Sequence, residues 1–255
     1  MNRFKSNLAL ILVAIWLLNS CAMESKTESR ELLVYCGITM IQPMTEIKTN
    51  FEAKEKCRLN ITKDGSGNLM RALEQSGVGD FFIPGGEFYI NEVIKLGLVE
   101  DTVIVGYNRM ALMVQKGNPL GIKPELSSLL NKDYYVMIGN PNSGSVGIAT
   151  FHLLDKEGIF EQVRDNAVKL TSDSKDLTLA LINKEADLVL NWQATYSHND
   201  NSKYIDILKV SDCEKGKERI IMASLKSSAH PDIAKKLMAY LNTDEAQAIF
   251  KKYGF

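Results

Sequence analysis

The sequence predicts an α/β fold with mainly parallel sheets. Short apolar runs alternate along the chain with segments in which apolar residues recur every three or four positions. Runs of the first kind are typical of buried strands, and the longer periodic segments are typical of amphipathic helices. Because neighbouring parallel strands need a crossover connection, usually a helix, this alternation favours a parallel sheet.

The first strand is expected at residues 32–36 (LLVYC) and the second at 58–62 (RLNIT). Between them, one helical face carries apolar residues at spacings of four, three and four: Met40, Met44, Ile47 and Phe51. A second helix is expected to open after Gly67, followed by a short strand at 81–83 (FFI). The first third of the chain therefore reads as strand, helix, strand, helix, strand.

The rest of the chain repeats this pattern. Strands are expected at 134–139 (YYVMIG), 167–171 (AVKLT) and 187–191 (DLVLN), with helices beginning near Ser145 and Ser174. Each helix can serve as the crossover between two strands of one sheet.

Four of the expected strands are followed by small, hydroxyl or glycine residues that lead into a helix: 37–39 (GIT), 63–67 (KDGSG), 140–145 (NPNSGS) and 172–174 (SDS). In open α/β sheets, ligands bind beyond the carboxyl ends of the strands. Helix N-termini present free N–H groups there and about half a positive unit charge. Several such ends together would bind an anion, and Lys63 is the only lysine or arginine in these turns.

Some of these turn residues have a second interpretation. Gly65 and Gly67 could serve only to turn the chain, with Ser66 near a helix N-cap. Asp64 and Asp173 could each cap a helix while pointing outward, or accept a proton from a bound ligand. The sequence leaves these alternatives open.

Residues 1–20 are expected to be a lipoprotein signal peptide. Two basic residues precede an uncharged apolar run at 8–18, which is shorter than the roughly 20 residues needed to cross a bilayer. The following LNSC resembles the bacterial lipoprotein cleavage site, which would make Cys21 the lipidated first residue and 21–30 a polar tether. In the alternative, an ordinary signal cut lies nearby and Cys21 is incidental.

Charge and cysteine usage argue against nucleic-acid binding, a disulfide framework and a zinc site. Without the leader, 28 basic and 31 acidic side chains remain, a net charge of −3 that does not favour nucleic-acid binding. Cys36, Cys57 and Cys213 show no Cys-x-x-Cys spacing, which argues against a disulfide framework and a zinc site. We expect Cys36 and Cys57 at opposite ends of neighbouring strands, with no bond between them.

The tail at 230–255 (HPDIAKKLMAYLNTDEAQAIFKKYGF) contains two amphipathic helical patterns and ends in E-A-Q-x-I-F-K-x-Y-G-F. Three further segments precede it in a regular order: 79–86 (GDFFIPGG), 97–119 (GLVEDTVIVGYNRMALMVQKGNP) and 184–192 (KEADLVLNW). Together they resemble the molybdate-binding branch of the type II periplasmic substrate-binding proteins of bacterial ABC importers. The resemblance covers nearly all of residues 31–255.

The resemblance implies a two-lobed fold with mixed, mainly parallel sheets and a discontinuous first lobe. It places lobe 1 at 31–110 plus 215–255 and lobe 2 at 111–214. The strands near the hinge would then be 108–115 and 219–225.

The resemblance also implies an oxyanion site between the lobes. Thr39 and Ser66 occupy the positions of the family's two hydroxyl side chains. Val146 and Ser174 occupy those of two main-chain N–H donors. Trp192 stands where the family has a tyrosine, and an indole offers one N–H donor but no acceptor.

This departure has two further interpretations. Trp192 could be a core residue at the end of a buried strand, and Tyr196 could supply the missing hydroxyl. The loop at 140–147 (NPNSGSVG) also lacks the family's usual Pro-Ala-Gly. These differences from the family pattern bear on which ion the protein binds more than on its fold.

The predicted function is that of an extracytoplasmic lipoprotein that captures a tetrahedral oxyanion, molybdate or tungstate, for an ABC importer. Thr39 and Ser66 would contact the oxyanion, and no cofactor, other metal site or covalent chemistry is expected. The expected partners are a permease and the membrane, through Cys21, on the periplasmic or cell-surface side, and the protein is expected to be a monomer. Alternatives are another small anion (sulfate, phosphate or an organic anion), an enzyme on the same scaffold, or a sensor that serves a different partner.

Overall fold

A computed structural model describes residues 30–211, 213 and 217–255. The expected signal peptide, Cys21 and the tether up to residue 29 lie outside the described residues. Within the described part, strands and helices alternate in the predicted order.

The strands are β1 (Arg30–Gly37), β2 (Cys57–Asp64), β3 (Phe81–Ile83), β4 (Val99–Gln115), β5 (Val136–Gly139), β6 (Lys169–Thr171), β7 (Leu188–Trp192), β8 (Ile205–Leu208) and β9 (Lys217–Leu225). The helices are α1 (Ile41–Lys54), α2 (Ser66–Ser76), α3 (Glu87–Lys95), α4 (Ser145–Lys156), α5 (Phe160–Asn166), α6 (Ser174–Ile182), α7 (Pro231–Leu241) and α8 (Asp244–Lys252). None of the described helices is long and apolar enough to cross a membrane.

The strands form one mixed sheet in the order β2-β1-β3-β9-β4-β7-β5-β6, with β8 paired to β4. β1 is parallel to β2 and β3, and β5 is parallel to β6 and β7. The antiparallel pairs all involve β4 or β9, the two long strands that contain the expected hinge segments.

β4 connects the two halves of the molecule. It pairs with β9 as far as Arg109 and with β7 from Met110 onward. We call the half built on β1, β2, β3 and β9 lobe 1, and the half built on β5 to β8 lobe 2. The residue boundaries expected for the lobes stay predictions.

Helices cover both faces of the sheet in lobe 1. The predicted apolar face of α1 is buried, together with Met40 just before it, against a cluster that includes α7 and α8. α2 and α3 cover the opposite face. In lobe 2, β5, β7, α4 and α6 share one core in which Trp192 has no exposed surface.

The two cysteines of lobe 1 lie as predicted. Cys36 is opposite Lys63 near the end of β1, and Cys57 is opposite Arg30 at the start of β2. No disulfide joins them. Burial raises the pKa of the Cys36 thiol well above its usual range, so the thiol stays protonated and behaves as a core residue.

Candidate functional site

A small cavity lies between the lobes where several strands end. Twelve residues line it: Ile38, Thr39, Asp64, Gly65, Ser66, Gly85, Gly144, Ser145, Val146, Ser172, Asp173 and Ser174. The space open to the centre of a water-sized sphere is about 20 Å³. One water needs about 10–15 Å³ on this measure, so the cavity has room only for a very small ligand.

The structure brings four of the five predicted ligand-binding residues to this cavity. Thr39 and Ser66 line it from lobe 1, and Val146 and Ser174 line it from lobe 2. They meet because parallel strands end at the same edge of the sheet and each strand leads directly into a helix. Whether they bind a ligand stays a prediction.

Ser66 does not cap a helix. Gly65 is the N-cap residue of α2, and Ser66 is the first residue of the helix. The Ser66 hydroxyl instead accepts a hydrogen bond from the Gly85 N–H at 2.9 Å. A serine hydroxyl has one proton, so Ser66 still has that proton to donate.

Trp192 lies behind the wall of the cavity and does not line it, because it ends a strand whose residues are all buried. Its Nε1–H donates a hydrogen bond to Ser145 Oγ at 3.3 Å. The Ser145 hydroxyl therefore has an acceptor position filled and its own proton left to donate. Tyr196 does not line the cavity either, and packs partly buried against the core of lobe 2.

Three helices begin at the cavity: α2 at Ser66, α4 at Ser145 and α6 at Ser174. The N–H groups in the first turn of a helix have no partner within it, and the helix dipole makes this end positive. No side chain caps α4, so the Val146 N–H in its first turn stays available to a ligand in the cavity. Three positive helix ends can stabilise a negative charge together.

Asp173 caps α6, as one interpretation predicted, but Asp64 does not cap α2, and both aspartates line the cavity. Asp173 Oδ1 accepts from the N–H groups of Lys175 and Asp176, at 2.8 and 3.0 Å. Asp64 Oδ1 accepts from the N–H of Gly65 at 2.6 Å, and from an asparagine amide one turn into α2. The Oδ2 atom of each carboxylate has no hydrogen bond within the described chain.

Glycine allows the two lobes to approach this closely. A Cβ atom at Gly85, on lobe 1, would overlap the Ser145 hydroxyl on lobe 2. Gly85 was not expected at the site, and Ser145 was expected only as the helix start after one of the four turns. The signal was present, because FFIPGG is a fifth strand end followed directly by a helix.

The described residues give the cavity wall no basic side chain. Among the described residues that line it there is no lysine or arginine. An acid lies close by: a Cβ atom on Gly86, next to the cavity, would be 2.9 Å from Glu218 Oε2. Burial raises the pKa of Glu218 to about 7, with a smaller contribution from the negative charge of Glu87.

The sequence profile of the bacterial extracellular solute-binding proteins matches residues 32–255. The chain belongs to this family. A relative from Bacillus subtilis, named as a substrate-binding lipoprotein of an ABC transporter, is 26% identical and covers 96% of this chain and 95% of its own length.

Solved structures share the fold at low identity. The sulfate-binding protein SubI from Mycobacterium tuberculosis is 16% identical, with a TM-score of 0.75 over 89% of this chain and 86% of that chain. A protein from Clostridium difficile, named as the substrate-binding domain of a molybdenum ABC transporter, is 19% identical, with a TM-score of 0.66 over 89% and 98%. The predicted two-lobed α/β fold of periplasmic binding proteins is confirmed.

Proposed function

We propose that this solute-binding protein captures a small tetrahedral oxyanion between its lobes and delivers it to an ABC importer. Molybdate or tungstate is the ligand that the sequence resemblance implies. The observation that carries the proposal is the state of two hydroxyls on opposite lobes. Ser66 and Ser145 each accept a hydrogen bond from the protein, so both are left to donate to a ligand.

Neutral donors can hold such an ion. Hydrogen bonds from hydroxyl and main-chain N–H groups to an oxyanion are short and strong because the acceptor is charged. The three helix ends add positive potential without a lysine or arginine. A rigid ring of donors of this size selects ligands by radius and by their proton content.

A second candidate is phosphate, which the two aspartates favour. Molybdate, tungstate and sulfate carry no proton at neutral pH, so they have none to share with the carboxylates of Asp64 and Asp173 in the cavity wall. Hydrogen phosphate has a P–OH group that needs an acceptor, and either carboxylate could supply it.

The proposal includes a place for the protein outside the cytoplasmic membrane, on the periplasmic or cell-surface side. A lipid on Cys21 would anchor the chain, which would work as a monomer with a permease as its partner. The lipoprotein name of the Bacillus subtilis relative supports the anchor. Replacement of Cys21 by serine should move the protein from the membrane fraction to the soluble fraction, and an unchanged distribution would exclude the lipid.

Isothermal titration calorimetry tests the ligand. Molybdate, tungstate, sulfate and phosphate are titrated separately into the protein after dialysis to remove bound anions. Binding of molybdate and tungstate at one site, without sulfate or phosphate, supports the first candidate. Binding of phosphate alone supports the second, and no binding of any tetrahedral anion, inorganic or organic, would refute the oxyanion proposal.

A further inference from the structure

A larger chamber adjoins the small cavity. On the same measure its open space is about 520 Å³, within the range of roughly 300–1,000 Å³ that is usual for small-molecule sites. Ile38, Thr39 and Asp64 line both spaces. We call this space the side chamber. An inorganic oxyanion bound in the small cavity would leave it unused.

Both lobes form the side chamber. Gln42 and Lys63 contribute from lobe 1, and Lys175, His198 and Asn199 contribute from lobe 2. The amide of Gln42 donates a hydrogen bond to the side-chain oxygen of Asn199, which joins the lobes at the edge of the chamber. A ligand that occupied both spaces would therefore be held by both lobes when they close.

The chamber wall carries a net positive charge. Lys63 and Lys175 lie in its wall, and neither appears in any of the ion pairs between described residues. Asp64 is the only acidic residue among those lining it. Two lysines facing one acid suit a ligand with a second negative group, beyond the one held in the small cavity.

Uncharged polar side chains also line the chamber, among them Gln42, His198 and Asn199. His198 is 7% exposed, and its Nε2 has no hydrogen-bond partner among the described residues. The imidazole packs against the rings of Tyr253 and Phe255, and burial lowers its pKa to about 4, so it is neutral at pH 7. The side-chain amides of Gln42 and Asn199 can bind a ligand hydroxyl as donors or acceptors.

We infer that the protein also binds organic anions, with a tetrahedral head group in the small cavity and a hydroxylated, negatively charged extension in the side chamber. A short phosphomonoester with a hydroxyl and a carboxylate fits this description. Its phosphoryl group keeps three free oxygens for the donors of the small cavity, and its ester oxygen leads out past Thr39 and Asp64. The inference rests on the proposed function, because the head group uses the same hydroxyls.

Calorimetry with three probes tests it: inorganic phosphate, glycerol 3-phosphate and 3-phosphoglycerate. The two esters add a hydroxylated extension to phosphate, and 3-phosphoglycerate carries a carboxylate where glycerol 3-phosphate has a terminal hydroxymethyl group. We expect affinity to increase along this series. Equal affinities, or exclusion of both esters while an inorganic oxyanion binds, would overturn the inference and leave the proposed function standing.

Charge variants show where the extension lies. Lys63→Gln and Lys175→Gln should each weaken 3-phosphoglycerate about three- to tenfold and leave inorganic oxyanions unchanged, since one ion-paired hydrogen bond is lost in each. Lys123→Gln, an exposed lysine of lobe 2 outside the chamber, makes the same charge change and should have no effect. An equal loss of affinity for 3-phosphoglycerate in all three variants would mean that the lysines attract the anion only through the overall charge of the protein. That result would overturn the inference. Binding of esters without any inorganic ion would support it and refute molybdate and tungstate as cargo.

Discussion

Trp192 Nε1 donates a hydrogen bond to Ser145 Oγ at 3.3 Å, so a fully buried side chain of the lobe 2 core sets the direction of a hydroxyl at the small cavity. Trp192, where the resemblance implies a tyrosine, thus lies one layer behind the cavity. It orients a donor and does not offer one itself.

Trp192→Phe should weaken oxyanion binding about five- to tenfold, the equivalent of one hydrogen bond worth about 1–1.5 kcal/mol. The phenyl ring keeps most of the buried apolar surface, but the Ser145 hydroxyl is no longer held as a donor to the cavity. Calorimetry measures the affinity, and thermal unfolding checks the fold. Tyr196→Phe is the matched control; if that variant weakens binding and Trp192→Phe does not, Tyr196 supplies the hydroxyl after all.

Ser66→Ala should weaken binding by about 1–3 kcal/mol, because a buried anion loses one donor. Stability should also fall slightly, since the Gly85 N–H loses its acceptor. The exposed Ser127 offers a control, and Ser127→Ala should leave the dissociation constant unchanged. Unchanged affinity in Ser66→Ala would reduce Ser66 to a turn residue.

Gly85→Ala should hinder closure of the lobes. The backbone at Gly85 does not have a positive φ angle, so alanine adds no strain there, but its methyl group overlaps Ser145 Oγ across the cleft. We expect an unfolding temperature close to that of the wild type, weaker binding, and a larger radius of gyration by small-angle scattering with ligand present.

A double variant isolates the cause. Adding Ser145→Ala removes the overlapping oxygen, so Gly85→Ala/Ser145→Ala should close again even though it binds less tightly. If the radius of gyration stays large in the double variant, a different contact opens the lobes.

Glu218 should make stability depend on pH. Burial raises its pKa from an ordinary value of 4.5 to about 7, so the folded protein keeps a proton that the unfolded chain releases between these values. The free energy of unfolding that Glu218 contributes therefore falls as pH rises through this window, by at most about 1.4 kcal/mol per pH unit. Glu218→Gln cannot ionise, so its stability relative to the wild type should increase from pH 5 to pH 8.

The comparison with a variant is needed because His198 acts in the opposite direction. Burial lowers its pKa to about 4, so its contribution to stability rises with pH up to about 6.5. Urea unfolding measures the stability of both proteins at several pH values. Because both contain His198, its contribution cancels in the difference between them. A difference in stability between Glu218→Gln and the wild type that stays the same at every pH would contradict the prediction.

Much of the fold could be predicted because its signals are local. The apolar spacing of α1, the starts of α4 and α6 at Ser145 and Ser174, and the separate ends occupied by Cys36 and Cys57 all follow from short stretches of sequence. Thr39, Ser66, Val146 and Ser174 converge on one cavity because each follows a strand of one sheet. Gly85 could not be predicted in the same way because the turn after its strand, 84–86 (PGG), contains no serine or threonine.

The sequence by itself determined the order of the strands and helices and the chemistry of the turns between them, since hydrophobic periodicity and glycine and serine usage act over a few residues. Only the tertiary structure decided which atoms meet. The bonds from Gly85 to Ser66 and from Trp192 to Ser145 join residues 19 and 47 positions apart. Whether a hydroxyl caps a helix or faces a ligand depends on the neighbour that packing of the two lobes brings beside it, and no local pattern records that neighbour.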